Sequence, residues 1–331
     1  MSVETIVAEL HRLRETQSEG RVMGATASTS TLVVCAAGAG ELAVLSESAR
    51  RMAIAHGARL LLLDAGAGGS AARVCAFCGR AGGETVCCEE IALPIDAGRP
   101  ASVIADVEEL ALPGLPCYLW WVGGELDGAL LRGLGALARR IVVDTSRCSD
   151  PAASLVALDA ILSRQPHAQL WDLAWLRVAP WREMAARLFD DPTRAGALTH
   201  IEAIEVESGS LAEAALLAAW IGVQLNYEIS EPARSFRTGS GATVTFSHLS
   251  GGAPGEVRMV RLHAAGATYS AHVEGDCGVR LSVESEGERR SRCEPMLERS
   301  LEDVVAGALF GLGGDPGFSR ALGLTARLLR A

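Results

Sequence analysis

An uninterrupted apolar run between Arg59 and Asp64 is the strongest constraint on how this chain folds. The run contains four consecutive leucines and leaves no polar face, as in a strand that is buried on both sides of a sheet. A second short apolar run, Thr31 to Cys35, precedes it, and residues 41–56 between the two carry apolar side chains at helical spacing. This succession predicts two parallel strands connected by a helix.

The same alternation continues through the first half of the chain. Strand-like runs occupy residues 86–93, 117–122 and 140–144, and residues 126–139 have the spacing of a helix. We therefore predict an α/β domain over residues 1–166, in which helices cover both faces of a mixed, mostly parallel sheet.

The second half of the chain has a different pattern. Residues 211–224 are apolar and rich in alanine, which predicts a buried helix. From about residue 242, four short runs with period-two features alternate with glycine-containing turns, and two helical segments close the chain. This order predicts an α+β domain over residues 167–331 with an antiparallel meander and closing helices.

Composition excludes several classes of protein. The chain has 30 basic residues and all of them are arginine, so it lacks the lysine that phosphate-loop enzymes, protein kinases and Schiff-base enzymes use. A net charge of −10 without a basic block argues against nucleic acid or an anionic membrane as partner. No apolar run approaches the ~18 residues that cross a bilayer, and no signal-peptide pattern begins the chain, so we expect a cytoplasmic protein.

A glycine-containing turn follows the first predicted strand. Gly38 and Gly40 fit the spacing of a dinucleotide-binding turn, and Asp64 ends the next strand, where a ribose-binding acid would lie. However, the chain contains 36 glycines, so chance matches are frequent, and Glu41 would place a carboxylate beside the phosphates. A plain strand-to-helix turn is the simpler interpretation, and a nucleotide or sugar-phosphate site is the alternative.

Four cysteines lie within fourteen residues, Cys75, Cys78, Cys87 and Cys88. Four sulfur ligands could hold a zinc ion, although zinc usually takes two Cys-x-x-Cys pairs and adjacent cysteines on a strand point to opposite faces. A redox-sensitive pair of Cys75 and Cys78 is a second interpretation, and inert thiols are the third. Zinc is the one cofactor that the sequence leaves open.

No arrangement of residues predicts a catalytic centre. The seven histidines are scattered, and the chain has neither a nucleophile-elbow motif nor a metalloprotease motif. Tryptophans are the more distinctive feature. Trp181 belongs to an apolar helical stripe that predicts burial, whereas Arg182 and Glu183 beside it can point elsewhere, and tryptophan with arginine is a frequent anchor of protein interfaces.

Several multi-residue motifs share one resemblance. Leu-Pro-Gly-Leu-Pro precedes Trp120-Trp121, and it is followed by Arg140-Ile-Val-Val-Asp144, by Asp172-Leu-Ala-Trp175-Leu-Arg177 and by Pro180-Trp181-Arg182-Glu183. These motifs resemble the glucose-6-phosphate dehydrogenase assembly protein family, OpcA.

The resemblance implies a non-catalytic protein that binds glucose-6-phosphate dehydrogenase as an allosteric activator. It would favour that enzyme's assembled, active form and support NADPH supply through the oxidative pentose phosphate pathway, without a cofactor of its own. The residues that carry the family motif, and that we expect to include contacts with the partner, are Trp120, Trp121, Asp144, Asp172, Trp175, Arg177, Trp181, Arg182 and Glu183.

Overall fold

The computed structural model describes residues 2–19, 28–36, 39–65, 71–122, 124–164, 169–230, 234–275, 278–297, 299–311 and 315–330. The chain divides into two compact units that alternate along the sequence. The first consists of Met1–Asp144, His167–Trp171 and Ser300–Leu312, and the second of Thr145–Pro166, Asp172–Arg299 and Gly313–Ala331. The sequence predicts one domain boundary near residue 166, whereas each unit of the structure is formed by three separate segments of the chain.

Seven strands of the described residues form the sheet of the first unit. They are β1 (Ser30–Ala36), β2 (Ala58–Asp64), β3 (Arg73–Ala81), β4 (Glu84–Pro94), β5 (Cys117–Val122), β6 (Arg140–Val143) and β7 (Gln169–Asp172). Their order in the sheet is β3-β4-β2-β1-β5-β6-β7. The strands from β4 to β6 in this order are parallel, and β3 is antiparallel to β4. The mixed, mostly parallel sheet that the sequence predicts is therefore confirmed.

Helices cover both faces of this sheet. They are α1 (Val3–Glu19), α2 (Ala39–His56), α3 (Pro100–Leu110), α4 (Ala129–Leu137) and α9 (Leu301–Phe310). The helices α2 and α9 contact each other, while α1 and α4 both contact α3. Glu90 of β4 bonds to α2 and the adjacent Glu89 bonds to α1. Successive residues of a strand point to opposite faces, so the two groups of helices lie on opposite sides of the sheet.

Four elements of the first unit were not predicted, namely α1, α3, β3 and β7. The strand β3 is largely half-exposed and mixes polar, small and apolar side chains, so it lacks an alternating pattern. Its place depends on pairing with β4 through a two-residue turn, in which Gly82 and Gly83 have φ of 59° and 89°. Two positive φ angles are the geometry of a type I′ hairpin, and glycine adopts them without strain.

The second unit contains the second sheet. Its strands among the described residues are β8 (Ile201–Ser208), β9 (Glu228–Ser230), β10 (Ser235–Arg237), β11 (Thr243–Ser250), β12 (Val257–Ala264), β13 (Ala267–Glu274), β14 (Gly278–Ser285) and β15 (Glu288–Glu294). Their order is β15-β14-β13-β12-β8-β11-β10-β9. The meander consists of β12 to β15 and begins one strand later than predicted, because β11 lies on the far side of β8 and runs parallel to it.

Helices of the second unit pack around α8. They are α5 (Pro151–Arg164), α6 (Leu173–Arg177), α7 (Ala179–Arg187), α8 (Leu211–Gln224) and α10 (Pro316–Arg330). Helix α8 contacts β8 and β11 on one side and α5, α6, α7 and α10 on others. Its side chains are buried around nearly the whole circumference, which explains the continuous apolar composition that predicted this helix. No helix of the described residues is both long enough and apolar enough to cross a membrane.

The turn from β8 into α8 generates a prediction about stability. A Cβ atom at Gly209 would overlap the carbonyl oxygen of Ala253, which belongs to the backbone and cannot rotate away. We expect Gly209→Ala to lower the free energy of unfolding by about 1–3 kcal/mol, as overpacking does elsewhere. Urea unfolding measures it. Gly196→Ala is the matched control, because a Cβ at Gly196 meets nothing within 4 Å, and equal stability of both variants would contradict the prediction.

Candidate functional site

The carboxylate of Asp172 is a fully buried acceptor in the second unit. It lies where β7 ends and α6 begins, and it accepts a hydrogen bond from the backbone N–H of Ala174 at 3.1 Å, which caps the helix. The backbone N–H and the hydroxyl of Thr145 also donate to it, at 3.1 and 2.6 Å. Asp172 therefore ties the segment after β6 to the start of α6.

Trp175 forms the centre of a second cluster. The indole is fully buried, and its Nε1–H donates to Asp315 Oδ2 at 2.8 Å. The guanidinium carbon of Arg182 lies 3.7 Å from the ring centroid, a cation–π contact. Arg182 Nη1 is also 3.8 Å from Asp315 Oδ2, and the ring of Phe318 lies 5.6 Å from the indole. Burial lowers the pKa of Arg182, and the charge of Asp315 opposes that shift.

The sequence did not predict that Asp315 and Phe318 belong to the Trp175 cluster. Asp315 caps α10, because its side chain accepts from the N–H of Gly317 at 2.9 Å, and Pro316 occupies the first helical position. The Asp-Pro pair is a recognisable signal for the helix start. Nothing in the local sequence indicates the indole, which is 140 residues away.

The other residues of the family motif are mostly internal. Both indoles of the Trp120-Trp121 pair are buried, although successive side chains of a strand point to opposite faces. Arg177 donates to Ser146 Oγ at 3.0 Å and packs beside the backbone of Gly255. The members that the structure buries to at least nine-tenths are Trp120, Trp121, Asp144, Asp172, Trp175 and Trp181, and Glu183 is exposed. The motif thus describes a packed framework, and its contact with a partner stays a prediction.

Two adjacent carboxylates organise the first unit. Glu90 is fully buried and receives two hydrogen bonds from Arg50, at 2.6 and 2.9 Å. Glu89 points the other way and pairs with Arg14 at 2.6 Å and with Arg59 at 2.8 Å. Burial alone would raise the pKa of Glu89, but hydrogen bonds and charges from the two arginines hold that pKa below its ordinary value.

The cysteines pair differently from the predicted redox pair. Cys78 is joined to Cys87, the residue directly opposite it in the hairpin of β3 and β4. Cys75 cannot take that role, because residues three apart in a strand point to opposite faces. Its thiol instead lies 3.7 Å from Glu90 Oε1, as a hydrogen-bond donor. The buried thiol of Cys88 donates to the carbonyl of Ala53 at 3.4 Å.

The four cysteines that the sequence left open as a zinc site are not brought together as four free thiols. Two of their four sulfur atoms are consumed by the disulfide, and a disulfide sulfur is not a thiolate ligand. Within the described ranges, no group of three or more histidine, cysteine, aspartate or glutamate side chains is arranged to hold a metal ion.

The predicted nucleotide turn lies in a strand–helix–strand unit. Strand β1 ends at Ala36, α2 begins at Ala39, and β2 pairs parallel to β1 and ends at Asp64. Gly40 therefore lies in the first turn of α2, and Gly38 falls outside the described residues. A Cβ at Gly40 would meet nothing within 4 Å, so packing of the described atoms does not require glycine there. Binding of a nucleotide at this turn stays a prediction.

Two domain models of one family match the chain. Residues 49–160 match the glucose-6-phosphate dehydrogenase subunit N-terminal domain, and residues 168–322 match the corresponding C-terminal domain. The chain belongs to the OpcA family of glucose-6-phosphate dehydrogenase assembly proteins. Family membership agrees with the motifs that the sequence offers between residues 112 and 183.

Curated proteins that are similar to this chain carry the name OxPP cycle protein OpcA. The protein of Nostoc punctiforme is 24% identical over 297 residues, which cover 79% of this chain and 62% of that protein. The protein of Synechocystis sp. is 35% identical over 145 residues, which cover 43% of this chain and 30% of that protein. The chain thus spans less than two thirds of the length of these relatives.

Solved structures that resemble this chain over most of its length include a dehydrogenase and a transcriptional regulator. Levoglucosan dehydrogenase in complex with NADH and L-sorbose has a TM-score of 0.49 at 10% identity, covering 91% of this chain and 95% of that one. The transcriptional regulator Gal80p has a TM-score of 0.44 at 10% identity, covering 97% and 94%. Likeness at this level says nothing about what this chain binds or catalyses.

The Trp175 cluster generates a prediction for Arg182. We expect Arg182→Ala to lower the free energy of unfolding by about 1–2 kcal/mol, because the variant loses a desolvated cation–π contact and the packing of the aliphatic part of the arginine side chain. Denaturant unfolding measures the loss. Arg320→Ala is the matched control, since Arg320 lies exposed on α10. Unchanged stability in both variants would show that Arg182 is available for a partner instead.

The buried thiols generate a prediction about alkylation. Burial raises the pKa of Cys35 to about 12 and that of Cys88 and of Cys117 to about 11. At pH 8, about one in a thousand of the Cys88 and Cys117 thiols and about one in ten thousand of the Cys35 thiols are ionised, against a much larger fraction of an ordinary cysteine. Iodoacetamide should therefore spare all three in native protein and modify them in urea, as read by peptide mass spectrometry.

The same experiment tests the disulfide. Cys78 and Cys87 should become alkylated in unfolded protein only after a reductant has been added. Modification of both in urea without reductant would contradict the pairing.

Proposed function

We propose that this chain is a cytoplasmic, non-catalytic assembly factor and allosteric activator of glucose-6-phosphate dehydrogenase. It binds that enzyme, supports its active oligomer and thereby sustains NADPH supply through the oxidative pentose phosphate pathway. The observation that carries the proposal is the match of both halves of the chain to models described as glucose-6-phosphate dehydrogenase subunit domains.

The chemistry of the described polar groups supports a role without catalysis. The buried carboxylates Asp172 and Glu90 already accept hydrogen bonds from donors of the chain itself. Arg182 is stacked on an indole. A general acid, base or nucleophile must instead reach a substrate in a cleft. These three groups therefore stabilise the fold.

Activation by such a protein is a shift between two states of the dehydrogenase. A protein that binds the active conformation more tightly than the inactive one raises the population of the active form. A tenfold change in apparent affinity for substrate requires about 1.4 kcal/mol of differential binding. A few contacts that exist only in the active conformation supply a free energy of this size.

The proposal is tested by mixing this chain with its cognate glucose-6-phosphate dehydrogenase and titrating glucose 6-phosphate. We expect the glucose 6-phosphate concentration that gives half the maximal rate to fall by a factor on the order of 10. Sedimentation should show a larger complex that contains both proteins. The dehydrogenase alone and this chain alone are the controls. The proposal would be contradicted if the rate of the dehydrogenase, its affinity for glucose 6-phosphate and its sedimenting mass all stayed unchanged at a saturating concentration of this chain.

One observation favours a second candidate function, the binding of a nucleotide or sugar phosphate. Gly40 lies in the first turn of α2, the helix that follows β1, and Asp64 ends the adjacent parallel strand, as in dinucleotide-binding units. Calorimetric titration of this chain alone with NAD(P), nucleotides and sugar phosphates tests it. Binding that is lost in Gly40→Val and kept in Gly196→Val would establish that site.

A further inference from the structure

Strand β3 forms a free edge of the first unit's sheet. It is terminal in the sheet order, and among the described strands it pairs only with β4. Its nine residues are half-exposed or exposed, and residues 74–79 at its centre carry neither charge nor proline. Charged residues and proline are what usually keep an edge strand from pairing with another chain. The charged edge strand β15 of the second unit has that protection, whereas the centre of β3 lacks it.

The hairpin turn determines which backbone groups of β3 face outward. Ala81 and Glu84 close the two-residue turn and exchange two backbone hydrogen bonds, and hydrogen-bonded pairs alternate with non-bonded pairs from there. The pair of Cys78 and Cys87 is then a non-bonded one, in agreement with its short Cα–Cα distance of 4.0 Å. The residues whose N–H and C=O groups therefore point away from β4 are Val74, Ala76, Cys78 and Arg80.

The helices beside β3 leave this edge accessible to another strand. Helix α2 packs on one face of β3, where Ile54 lies close to Gly79, and it also contacts β1, β2 and β4. Helix α1 packs on the other face, and its Arg14 bonds to Glu89 of β4 at 2.6 Å. Both helices therefore have contacts on the inner side of β3. Phe77 projects to the same face as Gly79 and is only half-buried there.

A second copy of β3 fits this edge in one register better than in any other. Two copies related by a two-fold axis pair antiparallel, with one residue opposite its own copy. The register centred on Phe77 overlaps all nine residues of the strand. It places Ala76 opposite Cys78 and Val74 opposite Arg80, so that every outward-facing residue meets another one. These pairs form roughly eight backbone hydrogen bonds, and registers centred elsewhere overlap fewer residues and form fewer bonds.

The side chains in this register are compatible with pairing. Arg73 lies opposite Ala81 and Arg80 lies opposite Val74, so no like charges face each other. Arg80 of one copy and Arg73 of the other are neighbours along the edge, but they project to opposite faces. At the axis, Phe77 meets its own copy in a non-hydrogen-bonded pair, where side chains are closest. Aromatic pairs on neighbouring strands stabilise a sheet.

We propose that the free edge of β3 binds the same edge of a second copy of this chain, with a two-fold axis at Phe77. The two seven-stranded sheets then continue into one another across the axis. Backbone hydrogen bonds and the pair of Phe77 rings stabilise the dimer, and the pairing closes an edge whose centre carries no charge. The proposal concerns self-association, and it does not depend on binding to glucose-6-phosphate dehydrogenase.

An exchange of charge at the axis tests the proposal, and sedimentation equilibrium measures the result. The wild-type chain should be a dimer. Phe77→Glu and Phe77→Arg each place like charges opposite each other, and each should weaken the dimer by about tenfold or more. An equimolar mixture of the two variants should associate again as a heterodimer, because glutamate then faces arginine. Phe77→Leu is the matched control and should remain a dimer.

A backbone variant keeps the test decisive if circular dichroism shows that the charged variants fail to fold. Ala76→Pro removes an outward N–H from each copy and leaves the ladder to β4 intact, as proline does on an edge strand. The loss of two hydrogen bonds per dimer should weaken association at least about tenfold. Ala76→Ser keeps the N–H, and as the matched control it should dimerise within about threefold of the wild-type affinity.

Three results would overturn the proposal. The first is a wild-type chain that sediments as a monomer at the highest concentration at which it is soluble. The second is a dimer that Ala76→Pro and both charged variants leave unchanged, which would place the contact on another surface. The third is dissociation of both charged variants without association in their mixture, which would show that Phe77 does not face its own copy.

Discussion

Two neighbouring carboxylates on one buried strand hold the first unit together. Glu89 and Glu90 point to opposite faces of β4, so that one pairs with arginines of α1 and β2 and the other with Arg50 of α2. Removing one partner of a buried ion pair leaves an uncompensated charge and typically costs about 3–5 kcal/mol. The two pairs therefore determine which helix covers which face, and the disulfide and the turn of the β3–β4 hairpin are built around the same strand.

Arginine is the only fixed cation in this chain, and several arginines bond to interior groups. Arg50 makes two parallel hydrogen bonds to one carboxylate, and Arg182 stacks flat on an indole. Arg140 donates to backbone carbonyls at the end of α9, among them that of Leu309 at 3.2 Å. A planar guanidinium with five donors meets these requirements, whereas an ammonium group cannot. Arginines bound in this way stabilise the fold, and contact of Arg182 with a partner stays a prediction.

The order of strands and helices was largely predictable, because burial on both faces and helical spacing leave clear patterns in β2, α2 and α8. Strand β15 was not predicted, since nearly all of its side chains are exposed and charged and no face of it is apolar. The cysteine pairing was equally out of reach. The sequence left a pair of Cys75 and Cys78 open as one of three interpretations, whereas the register of the hairpin placed Cys78 opposite Cys87.

The sequence by itself determined the alternation of elements, the two kinds of sheet and the family to which the chain belongs, because these depend on local periodicity and on contiguous motifs. Only the tertiary structure decided what the motif residues do. The indole of Trp175 meets Asp315 across 140 residues of chain, and Asp172 meets Thr145 across 27. Such partners are brought together by the packing of helices on sheets, and that packing turns predicted interface arginines into internal contacts while leaving a charged edge strand exposed.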